Sequence, residues 1–166
     1  MKIILLIFSL LFAQLLFGQN NKSILKRYPK KVQKIIHSES KAFRGFNFGD
    51  TKELIKSQEA LKIHTESDTI LTYTVIIDED DSADLIYYFD TNGVAKSFAI
   101  IFLLGDEKEE QILRDQLTKY YNEKYGMYAV INQEDELWDS KQGHVIEMRD
   151  TSDETGMEIE VVYYMP

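Results

Sequence analysis

In VIIDEDDSADLIYYF, residues 75–89, four aspartates and a glutamate stand between two apolar runs, and Asp78, Asp80 and Asp84 alternate with Ser82 in the manner of calcium ligands. A calcium loop of about 12 residues also needs a glycine at its sixth position and a bidentate glutamate at its last. Counted from Asp78, those positions hold Ala83 and Phe89. A solvated hairpin turn is therefore the favoured reading. Weak calcium binding at Asp78, Asp80 and Asp84 is the minor one, since extracellular modules can work at millimolar affinity.

Other chemistry-bearing patterns are sparse. His37, His64 and His144 lie far apart, and none has the i, i+4 histidine partner beside a glutamate that a zinc helix uses. There is no cysteine, hence no disulfide, thiol nucleophile or thiolate ligand. A nucleophile-elbow serine and a glycine-rich phosphate loop are both missing. Carboxylates are plentiful, but acid–base catalysis needs a pair held in a cleft with environments that separate their pKa values, and linear spacing does not display that. No cofactor is expected.

The N-terminus speaks of export. Lys2, the apolar run Ile3 to Phe17, and Gly18 form the charged head, apolar middle and small exit residue of a signal peptide over residues 1–18. A spanning helix needs roughly 20 apolar residues, and this run is shorter and interrupted by Ser9 and Gln14, so no stable membrane span is expected after cleavage. A periplasmic or extracellular protein follows. Residues 19–45 form a basic arm with eight Lys or Arg against Glu39, and from residue 46 onward ten bases face 27 acids. Such an acidic body repels phosphate backbones, which excludes a nucleic-acid partner.

The elements that must position any site can be read from periodicity. In the arm, Pro29 opens a short helix whose Val32, Ile35 and Ile36 share one stripe. That stripe either packs on the domain, the favoured reading, or serves as a cationic tether. The main domain, 46–166, opens with FRGFNFGDTKELIKSQEALKI, where Asp50 and Glu53 form a capping box for a helix near 51–60. After a loop holding His64, Glu66 and Asp68 comes a strand, ILTYTVII, with Leu71, Tyr73 and Val75 on one side. Asn92-Gly93 predicts a two-residue type I′ hairpin in which Phe89 meets Lys96, Tyr88 meets Ser97, Tyr87 meets Phe98, Ile86 meets Ala99 and Leu85 meets Ile100. Leu85, Tyr87, Phe98, Ile100 and Phe102 then form a core face. A helix over 105–126 has Asp106 and Glu109 at its start and Gly126 at its end. Strands follow at 128–131, 144–148 and 157–164, with Trp138 in an irregular approach to the second.

The fold class is thus α+β: an antiparallel sheet of about six strands with two main helices on one face, in the order helix, three strands, repeated. The segment FGDTKELI resembles the turn-and-helix start of β-lactamase-inhibitor-like and outer-membrane-assembly-lipoprotein-like domains, and the layout is similar to small exported bacterial proteins of that group. The resemblance implies binding, inhibition or envelope assembly rather than catalysis. The lipidated cysteine common in the family is missing here.

On the sheet face away from the helices, alternation places Tyr88, Glu147, Arg149, Glu158, Glu160, Val162 and Tyr164, a mixture of aromatics and acids of the kind that binding surfaces favour. The competing reading is that strands carry tyrosine simply because it suits them. The functional expectation is a non-enzymatic exported domain that contacts a protein or envelope component through this face. The alternative is a carboxylate-based hydrolase of a cell-wall or glycan substrate, which would require a pocket with two close carboxylates or with His144 beside an acid.

Overall fold

A computed structural model describes residues 23–131, 135–154 and 156–166, so the expected signal segment lies outside the described residues. Three helices and one eight-stranded antiparallel sheet are formed by the described residues. Helix α1 (Lys30–Ile36) follows Pro29 and a 3-10 turn at Ile24–Arg27, and its Val32, Ile35 and Ile36 are buried in the main core. The arm's charges meet the acidic body: Lys31 Nζ bonds Glu109 at 2.8 Å, and Arg27 pairs with Glu123. Helix α2 (Lys52–Gln58) is capped by Thr51, whose hydroxyl accepts from the Leu54 amide at 3.3 Å. Asp50, the expected cap, instead accepts from the Asn47 amide at 2.8 Å and closes the turn one residue earlier. Helix α3 (Glu107–Tyr125) starts where the Asp106 carboxylate accepts from the Glu109 amide at 2.8 Å and stops at Gly126, whose φ of +104° favours glycine. Leu113, Leu117, Tyr120 and Tyr121 are buried, giving α3 a stripe at helical spacing.

The strands are β1 (Ile63–Glu66), β2 (Ile70–Ile76), β3 (Ser82–Phe89), β4 (Ala95–Leu104), β5 (Ala129–Ile131), β6 (Asp135–Asp139), β7 (Val145–Asp150) and β8 (Met157–Tyr164). Their order is β1-β2-β3-β4-β8-β7-β6-β5. Helices α2 and α3 are therefore each followed by a four-stranded meander, and the two meanders join through their last strands, β4 and β8. This corrects the expected six strands to eight, while the three helices are the arm helix α1 and the two main helices α2 and α3. The extra strands, β1 and β6, carry little polarity signal: β1 has three exposed residues out of four, and in DELWD only Trp138 is buried. β1 is an edge strand and β6 lies one strand in from the other edge; both take their shape from ladder bonds rather than from alternation, so composition alone does not expose them.

Four of the five cross-strand pairs anticipated for β3 and β4 are present: Tyr88 with Ser97, Tyr87 with Phe98, Ile86 with Ala99 and Leu85 with Ile100. The fifth is not. Phe89 pairs with Ala95 across a bulge rather than with Lys96. The turn is not type I′, because of Asn92 and Gly93 only Gly93 has positive φ, at +73°. Asp90 organises it, accepting from the Asn92 and Val94 amides at 2.9 and 3.0 Å, while the Gly93 amide donates to Asp90 O. The extra loop residue that this geometry demands shifts the register by one at the hairpin mouth.

Leu85, Tyr87, Phe98, Ile100 and Phe102 are fully buried, together with Ile146, Met148, Ile159, Val161 and Tyr163 from the second meander. Their side chains join those of all three helices in one cluster. Phe43 lies at its centre, stacked on Phe98 at 5.0 Å and edge-on to Tyr87 and Tyr163. Every described helix thus lies on one face of the sheet.

Candidate functional site

Strand parity builds the opposite face. Along β3 and β8 buried residues alternate with half-buried ones, and the half-buried set faces away from the helices. Ladder pairs arrange that set in rows. Tyr88, Ser97, Tyr164 and Val145 form one; Ile86, Ala99, Val162 and Glu147 the next; Asp84, Ile101, Glu160 and Arg149 the third. Leu103 beside Glu158 begins a fourth. Tyr88 and Tyr164 flank the same residue on β4, so their strands lie about 10 Å apart, two inter-strand spacings.

Arg149 anchors the polar part of this surface. Its Nε donates to Glu147 at 2.8 Å, and its Nη1 reaches Glu160 at 3.5 Å. The Arg149 bond holds the Glu147 carboxyl below its ordinary range, with a contribution from the Tyr164 hydroxyl. Burial, and then the Glu160 charge, pushes the Tyr88 hydroxyl up; burial, and then Glu147, does the same for Tyr164. Both phenols stay neutral and able to donate at physiological pH. Glu158 accepts from the Thr151 hydroxyl at 2.7 Å near the end of the row. All seven residues singled out from the sequence, Tyr88, Glu147, Arg149, Glu158, Glu160, Val162 and Tyr164, therefore occupy one face.

That face extends further than the sequence indicated. Ile76 and Leu103 are 62% and 42% exposed, making the rim apolar as well as acidic. Ile101 and Leu103 are hidden in the run AIIFLL, where continuous apolar residues mask parity; only the register against β3 shows which way each points.

The other candidates are dispersed. Asp78 accepts from the amides of Asp80 and Asp81 at 3.3 and 3.1 Å, Asp81 is buried and accepts from the Gly105 amide at 3.0 Å, and Asp84 takes the Thr74 hydroxyl at 2.6 Å on the sheet. These carboxylates hold a turn, and no group of three or more metal-ligating side chains occurs among the described residues. His37 lies at the C-terminus of α1 and His64 on β1. His144 is buried, with Nδ1 2.8 Å from Ser140 Oγ. That oxygen also accepts the Gln142 and His144 amides, so its proton points to Nδ1 and the pair clasps a turn. A serine, not an acid, is the partner of His144. Burial, and then the Lys124 charge, lowers its pKa.

One concavity was not legible in the sequence. A cleft of about 660 Å³ runs between residues 23–24, the loop 37–40 and the last turn of α3 at Glu123 and Lys124. Among the described residues no helix is long and apolar enough to cross a membrane. Comparison with protein-family models, curated proteins and solved structures finds no match to this chain.

Proposed function

We propose that the protein works after export, in the periplasm or outside the cell, as a non-enzymatic binding domain that holds a protein or envelope component against its open sheet face. One observation carries the reading: all described helices pack on one side of the sheet, and the other side presents Tyr88 and Tyr164 beside the Glu147–Arg149–Glu160 network. Aromatic rings with hydroxyls supply contact area at small entropic cost, and the ordered carboxylates supply orientation. The apolar rim at Ile76 and Leu103 adds water-excluding surface. The test is a cross-linked pull-down of the mature protein from its native envelope, run beside the Tyr88→Ala/Tyr164→Ala variant. A species held by the wild type and lost from the variant supports the reading; equal capture by both contradicts it.

A further inference from the structure

The cleft between α1 and α3 carries an unusual distribution of charge. Glu123 on its wall is compensated, bonded by the Arg27 guanidinium on one oxygen and by the Tyr28 hydroxyl at 2.9 Å on the other. Glu39, on the loop wall, and Lys124, on the helix wall, both line the cleft, and neither side chain makes a hydrogen bond or ion pair among the described residues. The half-buried Lys124 ammonium instead lies over the ring of Tyr125 at 4.9 Å and that of Tyr120 at 5.7 Å. Ring faces hold a cation in place without neutralising it. Burial accordingly holds its pKa down to about 8, opposed only by the charge of Glu39.

A desolvated charge without a counter-ion is costly, and a ligand that supplies the missing partner gains that free energy on binding. Here Lys124 is such a charge, and the partly exposed Glu39 carboxylate, of opposite sign, stands on another wall of the same cavity, whose volume suits a small molecule. A simple anion would meet Lys124 but be repelled by Glu39, and a simple cation would meet the reverse. Ser38 and Ser40, whose hydroxyls bond each other at 2.9 Å beside Glu39, add polar contacts, and Ile24 gives an apolar patch. We propose that this cleft binds a small zwitterion, an amino acid or short peptide, with its carboxylate on Lys124 and its ammonium on Glu39.

The site is separate from the open sheet face, and its test is independent of it. Calorimetric titration of the mature protein with glycyl-L-phenylalanine is compared with N-acetylglycyl-L-phenylalanine, which lacks the ammonium, and with glycyl-L-phenylalaninamide, which lacks the carboxylate. The dipeptide is expected to bind, and each analogue to bind about tenfold weaker or worse. Lys124→Met should respond to the dipeptide and its amide alike, and Glu39→Gln to the dipeptide and its acetylated form alike. Lys124→Gln gives the same comparison if Lys124→Met fails to fold, and Tyr88→Ala/Tyr164→Ala should leave binding unchanged. No heat up to about 10 mM dipeptide, which limits any affinity to the millimolar range, would overturn the proposal. Equal binding of all three compounds would do so too, as would a mutant cycle showing Glu39 and Lys124 paired with each other in solution.

Discussion

Arg44 and Glu59 face each other inside the protein through two bonds of 3.2 Å, with side chains only 4% and 5% exposed. Arg44 adopts a positive φ of +49°, and its remaining donors reach the carbonyls of Lys34, at 3.0 Å, and Ile35 at the end of α1. Glu59 also accepts the Tyr87 hydroxyl at 2.9 Å. One ion pair therefore fastens the basic segment, the end of α2 and the sheet.

Removing one member of that pair leaves the other charged and buried, which costs about 3–5 kcal/mol. Arg44→Met and Glu59→Gln should each lower unfolding free energy by that order in denaturant titrations. The double variant should lose clearly less than the two losses added, because the interaction is shared. Simple additivity would show that the pair contributes nothing as a unit.

Tyr87-Tyr88 and Tyr163-Tyr164 each send one ring inward and one outward. Tyr163→Ala should cost about 3–5 kcal/mol as a core truncation. Tyr88→Ala and Tyr164→Ala, on half-buried surface, should each cost less than about 1 kcal/mol. Thermal melts of the three variants check the contrast, and a large loss from either outer tyrosine would mark it as core.

These tyrosine doublets also show what the sequence displays well. Period-two alternation orients a strand wherever polar and apolar residues take turns, so β3 and β8 could be oriented and their outward residues named. Capping chemistry likewise marks α3, through Asp106 and Gly126. Alternation is silent in β1 and β6, so neither strand shows in the polarity pattern, and the Asp90 turn displaces Phe89 from Lys96. The cleft was invisible because it joins residues 37–40 to Glu123 and Lys124, which only the packing of α1 against α3 brings together.

Buried His144 stays neutral in the folded protein, its pKa lowered below the ordinary 6.5. As pH falls through 6.5 the unfolded chain takes up a proton that the folded one refuses, so stability drops in the window just under that value. His144→Gln should flatten this limb of a stability–pH curve. An unchanged curve would place the histidine in solvent.

Trp138, the single tryptophan, is 1% exposed, and its indole N–H donates to Asn122 Oδ1 at 2.9 Å. The same oxygen accepts the Tyr128 amide at 3.2 Å. Its fluorescence should be blue-shifted in the native state and move red on unfolding. Asn122→Ala, which orphans both donors, should cost about 1–3 kcal/mol. Red-shifted native emission would contradict the buried position of Trp138 on β6.

The most direct test of the open face places a photo-cross-linking side chain at Ser97, between Tyr88 and Tyr164, and another at Lys119 on α3, in cells that export the protein. The expected result is a discrete cross-linked species from position 97 that is absent from position 119 and disappears when Tyr88 and Tyr164 become alanine. The same species from both positions, or one at 97 indifferent to the two tyrosines, would contradict the assignment of this face as the contact surface.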